Sequence, residues 1–148
     1  MLVGAPGTGS VYMLEGRLSG TLSVDVDQDV YYKPVWTSTA ANNAGSSVAF
    51  IGDIDLDGDE ELAIGGDGVL WIIAQGESGF LGGNLDSTDQ PIASGKITGF
   101  KGIIRHIVNA GDVDGDGYSD LLISTDSTTY LLYGGYKPAQ EDASDTGN

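Results

Sequence analysis

The chain has no cysteine, one histidine, four prolines and only six basic residues among 148. Each scarcity closes off a class of explanation. Without cysteine there are no disulfides and no thiolate metal sites. The lone His106 cannot build a histidine-based transition-metal site. Its counterpart in the internal repeat described below is Ser47, so it reads as a strand-edge residue and not as a general base. Six basic against 22 acidic residues give a formal charge of −16. Such a surface repels nucleic-acid phosphate and anionic lipid, and neither is expected as a partner. No window is long and apolar enough to span a membrane, so no membrane insertion is expected. The opening MLVGAPGTGS lacks the basic and apolar regions of a signal peptide and reads as the inside of a strand. On that ground the chain is expected to begin partway through a longer protein or repeat array. The same stretch is not a phosphate loop, because Ser10 and Val11 stand where Lys and Ser or Thr would follow the last glycine.

What is present is a hydrophobic fraction of 40%, enough for a modest core, and 24 glycines, which suit tight turns between short strands. The dominant signal is a repeat. Tyr12, Trp71 and Tyr130 stand 59 residues apart in GSVYMLEG, GVLWIIAQG and STTYLLYGG. The acidic stretches starting at Asp53 and Asp112 keep the same step, as do SVAFIGD and HIVNAGD before them and ELAIGG and DLLIST after them. The first unit shows only LVGAPG from Leu2 at the position of ELAIGG, without an acidic loop. Short apolar runs bounded by turn signals (Val48–Ile51, Leu62–Ile64, Val69–Ile73 and their counterparts) are strands, since none holds a helical period for long. Weaker fourth strands are expected near Thr21–Val26 and Lys96–Phe100. Four short strands in about 60 residues is a propeller-blade pattern. The reading is therefore all-β, with four-stranded antiparallel blades. It divides the chain into a partial blade at 1–46 lacking its first strand and loop, a complete blade at 47–105, and an incomplete third blade at 106–148 with an acidic, frayed tail from Gln140.

The loops read D-I-D-L-D-G-D-E-E from Asp53 and D-V-D-G-D-G-Y-S-D from Asp112. Carboxylates at positions one, three and five converge when the backbone turns tightly around one centre: Asp53, Asp55 and Asp57 in the first loop, Asp112, Asp114 and Asp116 in the second. Glycine at position six, Gly58 or Gly117, permits the turn. Position seven, Asp59 or Tyr118, offers a backbone carbonyl, and position nine, Glu61 or Asp120, closes the set. An all-oxygen, strongly anionic shell suits calcium; magnesium keeps its waters and demands an octahedron. These are not EF-hands, whose loop needs Glu at position twelve; Ile64 and Ile123 stand there, and strands flank the loops.

These strings, GDIDLDGDEELAIGG, GDVDGDGYSDLLIS and LVGAPGTGSVYML, resemble FG-GAP repeats, the blades of integrin alpha-chain propellers and of many secreted bacterial proteins. GAP appears literally once, as Gly4-Ala5-Pro6. It is replaced by Gly65-Gly66-Asp67 and by Ser124-Thr125-Asp126, while FG is degenerate at Ile51-Gly52 and Ala110-Gly111. The resemblance covers most of the chain. It implies that each loop joins the first and second strands of a blade. It also implies calcium ligands at Asp53, Asp55, Asp57 and Glu61 and at Asp112, Asp114, Asp116 and Asp120. The family's ninth position is usually Asp, so Glu61 departs from it. Family propellers usually have seven blades, and about two and a half are present here, as a fragment, an open array or a ring completed by self-association.

The function expected is an extracellular or cell-surface scaffold for adhesion or recognition, non-enzymatic and calcium-stabilised, with a protein or carbohydrate ligand. The alternative is a non-catalytic part of a larger secreted hydrolase; fold alone does not decide between them. Tyr12, Trp71 and Tyr130 are read as packing residues. Trp36 and the Tyr31-Tyr32 pair, placed in a linker, are candidates for a binding surface.

Overall fold

The computed structural model describes residues 1–14, 32–38, 42–88 and 93–135. It is an all-β fold with antiparallel sheets, that of a partial β-propeller. The strands are β1 (Leu2–Ala5), β2 (Ser10–Leu14), β3 (Tyr32–Thr37), β4 (Ser47–Gly52), β5 (Glu61–Gly65), β6 (Asp67–Ile73), β7 (Gly83–Asn84), β8 (Gly95–Gly111), β9 (Asp120–Thr125) and β10 (Thr129–Leu132). One sheet runs β1-β2-β3-β7 and the other β10-β9-β8-β6-β5-β4. The long β8 belongs to two strand sets. Residues before Ile104 pair with β6, and Ile104–Gly111 pair with β9, with register shifts in both pairings. The described chain thus forms a first set (β1–β3), a middle set (β4–β6 with the first part of β8) and a last set (the rest of β8 with β9 and β10).

Alternation along each strand builds two cores. In the middle set Leu62, Ile64, Val69, Trp71 and Ile73 point one way, into a cluster with Val11 and Trp36 of the first set. Ala63, Leu70 and Ile51 point the other way, into a cluster with Ile104, Ile107, Leu121 and Ile123 of the last set. A sheet covered on both faces needs a continuous apolar strand rather than an alternating one. The fully buried Leu62-Ala63-Ile64 run of β5 is such a strand.

The pairing sharpens the repeat. Trp71 faces Ile64, Tyr130 faces Ile123 and Tyr12 faces Val3. Gly4 therefore occupies the place of Gly65 and Ser124, which is where the degenerate GAP positions were assigned. Leu2, however, pairs with Met13 as Ala63 pairs with Ile72, so Leu2 matches Ala63 and not Glu61. The reason is a longer turn. A 3-10 turn at Pro6–Thr8, closed by Gly9 in the left-handed region, adds two residues to the β1–β2 connection. The GAP glycine sits where consecutive sets touch. A Cβ on Gly4 would collide with the Gly45 carbonyl, and one on Gly65 would lie 2.8 Å from Ile104 Cγ2. Gly45 and Ile104 are themselves 59 residues apart. Hydrogen bonds fasten the same seam. Ser46 Oγ stands within donating distance of Gly65 O (3.0 Å) and Ile104 O (2.8 Å). Asn109 Nδ2 donates to Ile51 O at 2.6 Å.

Two expectations change. Trp36 is not in a linker and offers no binding surface. It lies in β3, opposite Val11, with no exposed area, and its Nε1 donates to Leu81 O at 2.9 Å. Alternation along β3 turns the indole inward, against the edge of Phe80. Tyr31 and the side chain of Tyr32 lie outside the described residues. The strand pairing with β2 is Tyr32–Thr37, while Thr21–Val26 and the tail from Gln140 are also outside them. The expected strand at Lys96–Phe100 is part of β8. The two-residue β7 adds to β3 in parallel, a pairing no local pattern announced. Of the repeat aromatics, Trp71 is fully buried, and Tyr130 is half-buried and meets Phe100 edge-on with ring centres 5.1 Å apart. His106 is exposed on β8.

Candidate metal centres

Each acidic loop connects two neighbouring antiparallel strands, β4 to β5 and β8 to β9, and the two have nearly the same backbone. Gly58 and Gly117 take φ of 99° and 95°, a region costly for side-chain-bearing residues. The carboxylate at position one organises both turns. Asp53 accepts from Asp57 N (3.1 Å) and Gly58 N (3.0 Å). Asp112 accepts from Asp116 N (3.0 Å), Gly117 N (2.9 Å) and Gly115 N (2.7 Å). Asp57 N also donates to Asp55, and Asp116 N to Asp114. Asp57 accepts from Asp59 N, and Asp116 from Tyr118 N, both at 2.9 Å. Backbone amides thus fold each loop around its own carboxylates.

Ligand-capable oxygens of Asp53, Asp55 and Asp57 lie within 4.8 Å of one another, as do those of Asp112, Asp114 and Asp120. Glu61 and Asp116 fall outside these trios. Asp59 and Tyr118 stand at position seven, exposed and half-buried respectively. The ninth position is buried in both loops, with Glu61 2% and Asp120 0% exposed. Here the loops diverge. Asp120 accepts from Val113 N (2.7 Å) and Gly134 N (2.9 Å), one on each oxygen. Glu61 accepts from Ile54 N (2.9 Å) through Oε2, but its buried Oε1 has no partner. Burial pushes the Glu61 carboxyl up to about 7, and Asp55, Asp57 and Asp53 add to the rise. The Asp114 carboxyl is also raised, first by loss of water and then by the charges of Asp116, Asp120 and Asp112.

The loops differ at one further point. Gly115 has φ 82°, while its counterpart Leu56 is held at φ 61° with its side chain in solvent. Gly134 and Gly135, after β10, were not anticipated as part of the site. Gly134 N reaches Asp120, and Gly135 N donates to Ile54 O of the first loop at 3.2 Å, so one short segment touches both loops. The signal was the Gly-Gly pair itself, but its partners lie across the sheet.

Among curated proteins, the chain is similar to integrin alpha-7 of Rattus norvegicus, with 27% identity over 145 residues. The match covers 90% of this chain and 12% of that protein. No family model matches the chain.

The residues fit a hard divalent cation. The donors are all oxygen, three carboxylates converge in each loop, and one buried carboxylate oxygen in the first loop is left without a partner. Like charges gathered this closely repel one another, and a cation between them removes the repulsion.

Proposed function

We propose that this chain is a calcium-binding propeller segment acting as an extracellular or cell-surface scaffold for adhesion or recognition. The observation that carries the reading is the recurrence, 59 residues apart, of one carboxylate cage on one turn between neighbouring strands. The likeness to an integrin alpha chain supports the adhesion role and the location. On this reading Asp53, Asp55, Asp57 and Glu61, with the Asp59 carbonyl, hold one ion. Asp112, Asp114, Asp116 and Asp120, with the Tyr118 carbonyl, hold the other. The ion supplies no chemistry beyond neutralising the cage and fixing the turn, and the scaffold is not an enzyme. Its three repeat units are 1–46, 47–105 and 106–148, and its ligand is a protein or a carbohydrate.

Thermal unfolding with calcium, with magnesium and with a chelator tests this. Calcium is expected to raise the melting temperature more than magnesium does, because the cage is irregular and strongly anionic. Equal melting in all three would sink the proposal.

A further inference from the structure

Each strand set turns one apolar face on the set that follows it. Leu2, Val11 and Met13 of the first set pack into the cluster shared with the middle set. Ala63, Leu70 and Ile72 hold the same register positions in the middle set and pack into the cluster shared with the last set. One step further on, those positions are Leu122, Thr129 and Leu131. Directly across the strands, Val108 pairs with Leu122 and Leu122 with Leu131. The matching row of the middle set, Ala49–Ala63–Ile72, is covered, and Ala63 is wholly buried. In the last set Val108 is 53%, Leu122 43% and Leu131 40% exposed. A row of large aliphatic side chains facing water on an antiparallel sheet marks a contact surface.

The chain also carries the surface that would cover this row. The last set meets the middle set through Leu121, Ile123, Tyr130 and Leu132. In the first set the same register positions are Met1, Val3, Tyr12 and Leu14. Met1 and Leu14 exchange backbone hydrogen bonds as a facing pair, and Val3 faces Tyr12. Met1 is 59% exposed, and Val3 and Tyr12 are half-buried.

We infer that the Val108–Leu122–Leu131 row is a docking surface for a second copy of this chain, which covers it with the Met1–Val3–Tyr12 face of its first set. The contact repeats, between molecules, the packing made twice within one molecule, so it is head-to-tail rather than two-fold symmetric. It rests on the stacked-unit part of the reading above and not on the calcium part. Because both copies are strongly acidic, association tightens as added salt screens their repulsion.

Sedimentation velocity from micromolar to millimolar protein tests it, with and without calcium. The expected result is concentration-dependent association that Leu122→Lys weakens at least tenfold without altering the circular dichroism or the melt. Should that variant unfold, Val108→Lys at the most exposed position of the row serves instead, with the same expected weakening. The chain has no cysteine, so Leu122→Cys and Val3→Cys copies can be mixed with a short bis-maleimide. Mixed pairs are expected to exceed like pairs. A monomer at every concentration, association indifferent to both lysine substitutions, or an excess of like pairs would each overturn the inference. Association in a chain that takes up no calcium would support it while removing the ion from the account.

Discussion

Leu56 is the residue at which the two loops part. It holds a left-handed conformation that costs an L-residue about 1–2 kcal/mol, and its side chain gains little by packing because it is 56% exposed. The second loop has Gly115 there. Leu56→Gly is therefore expected to raise stability by about 1 kcal/mol, read from urea unfolding. No change or a loss would show that the strain is not there. Gly134 argues in the opposite direction. A Cβ on it would run into the Ser119 carbonyl, which is backbone and cannot swing aside. Gly134→Ala should cost about 1–3 kcal/mol in the same measurement. Asp126 gives a pH dependence. The Arg105 guanidinium, donating to it at 2.6 Å, holds its carboxyl below the ordinary range, and Ile103 N–H helps. A depressed folded value means the stabilising contribution is complete above the unfolded carboxylate's value of about 4 and is lost as pH falls through the lower folded value. Asp126→Asn should flatten that part of the acid side of the stability–pH curve.

At the scale of elements, Trp36 is the most informative side chain. It fills the space between the first and middle sets, so Trp36→Ala should cost about 3–5 kcal/mol and expose the seam. A surface residue would cost almost nothing, and a melt separates the two outcomes. The sequence alone placed this tryptophan in a linker because β3 has no match at the 59-residue step. It is the pairing to β2, not the local pattern, that makes 32–37 a strand. β4, β5, β6, β9 and β10 were legible because their apolar runs are short, repeated and bounded by glycine or acidic turns. The parallel partner β7 was not, since two residues, Gly83 and Asn84, carry no periodicity. In the loops the acid–glycine spacing was sufficient to anticipate the turn and the convergence of three carboxylates. It did not distinguish which trio would gather. That depends on the length of Glu61 against Asp120 and on Gly134 arriving from across the sheet.

At the scale of the molecule, strand sets stack through one repeated contact, and the two acidic turns lie beside that stack. The outer strand of the middle set continues without interruption into the last set through β8, so the two should unfold together. A single urea transition seen by both Trp71 fluorescence and backbone dichroism is expected. The central claim is that the acidic turns are ion cages. Calorimetric titration of the 148-residue chain with calcium tests it most directly. The account predicts heat from two sites, reduced to one in Asp114→Ala. Two sites surviving in that variant, or no heat from the unaltered chain, would contradict it.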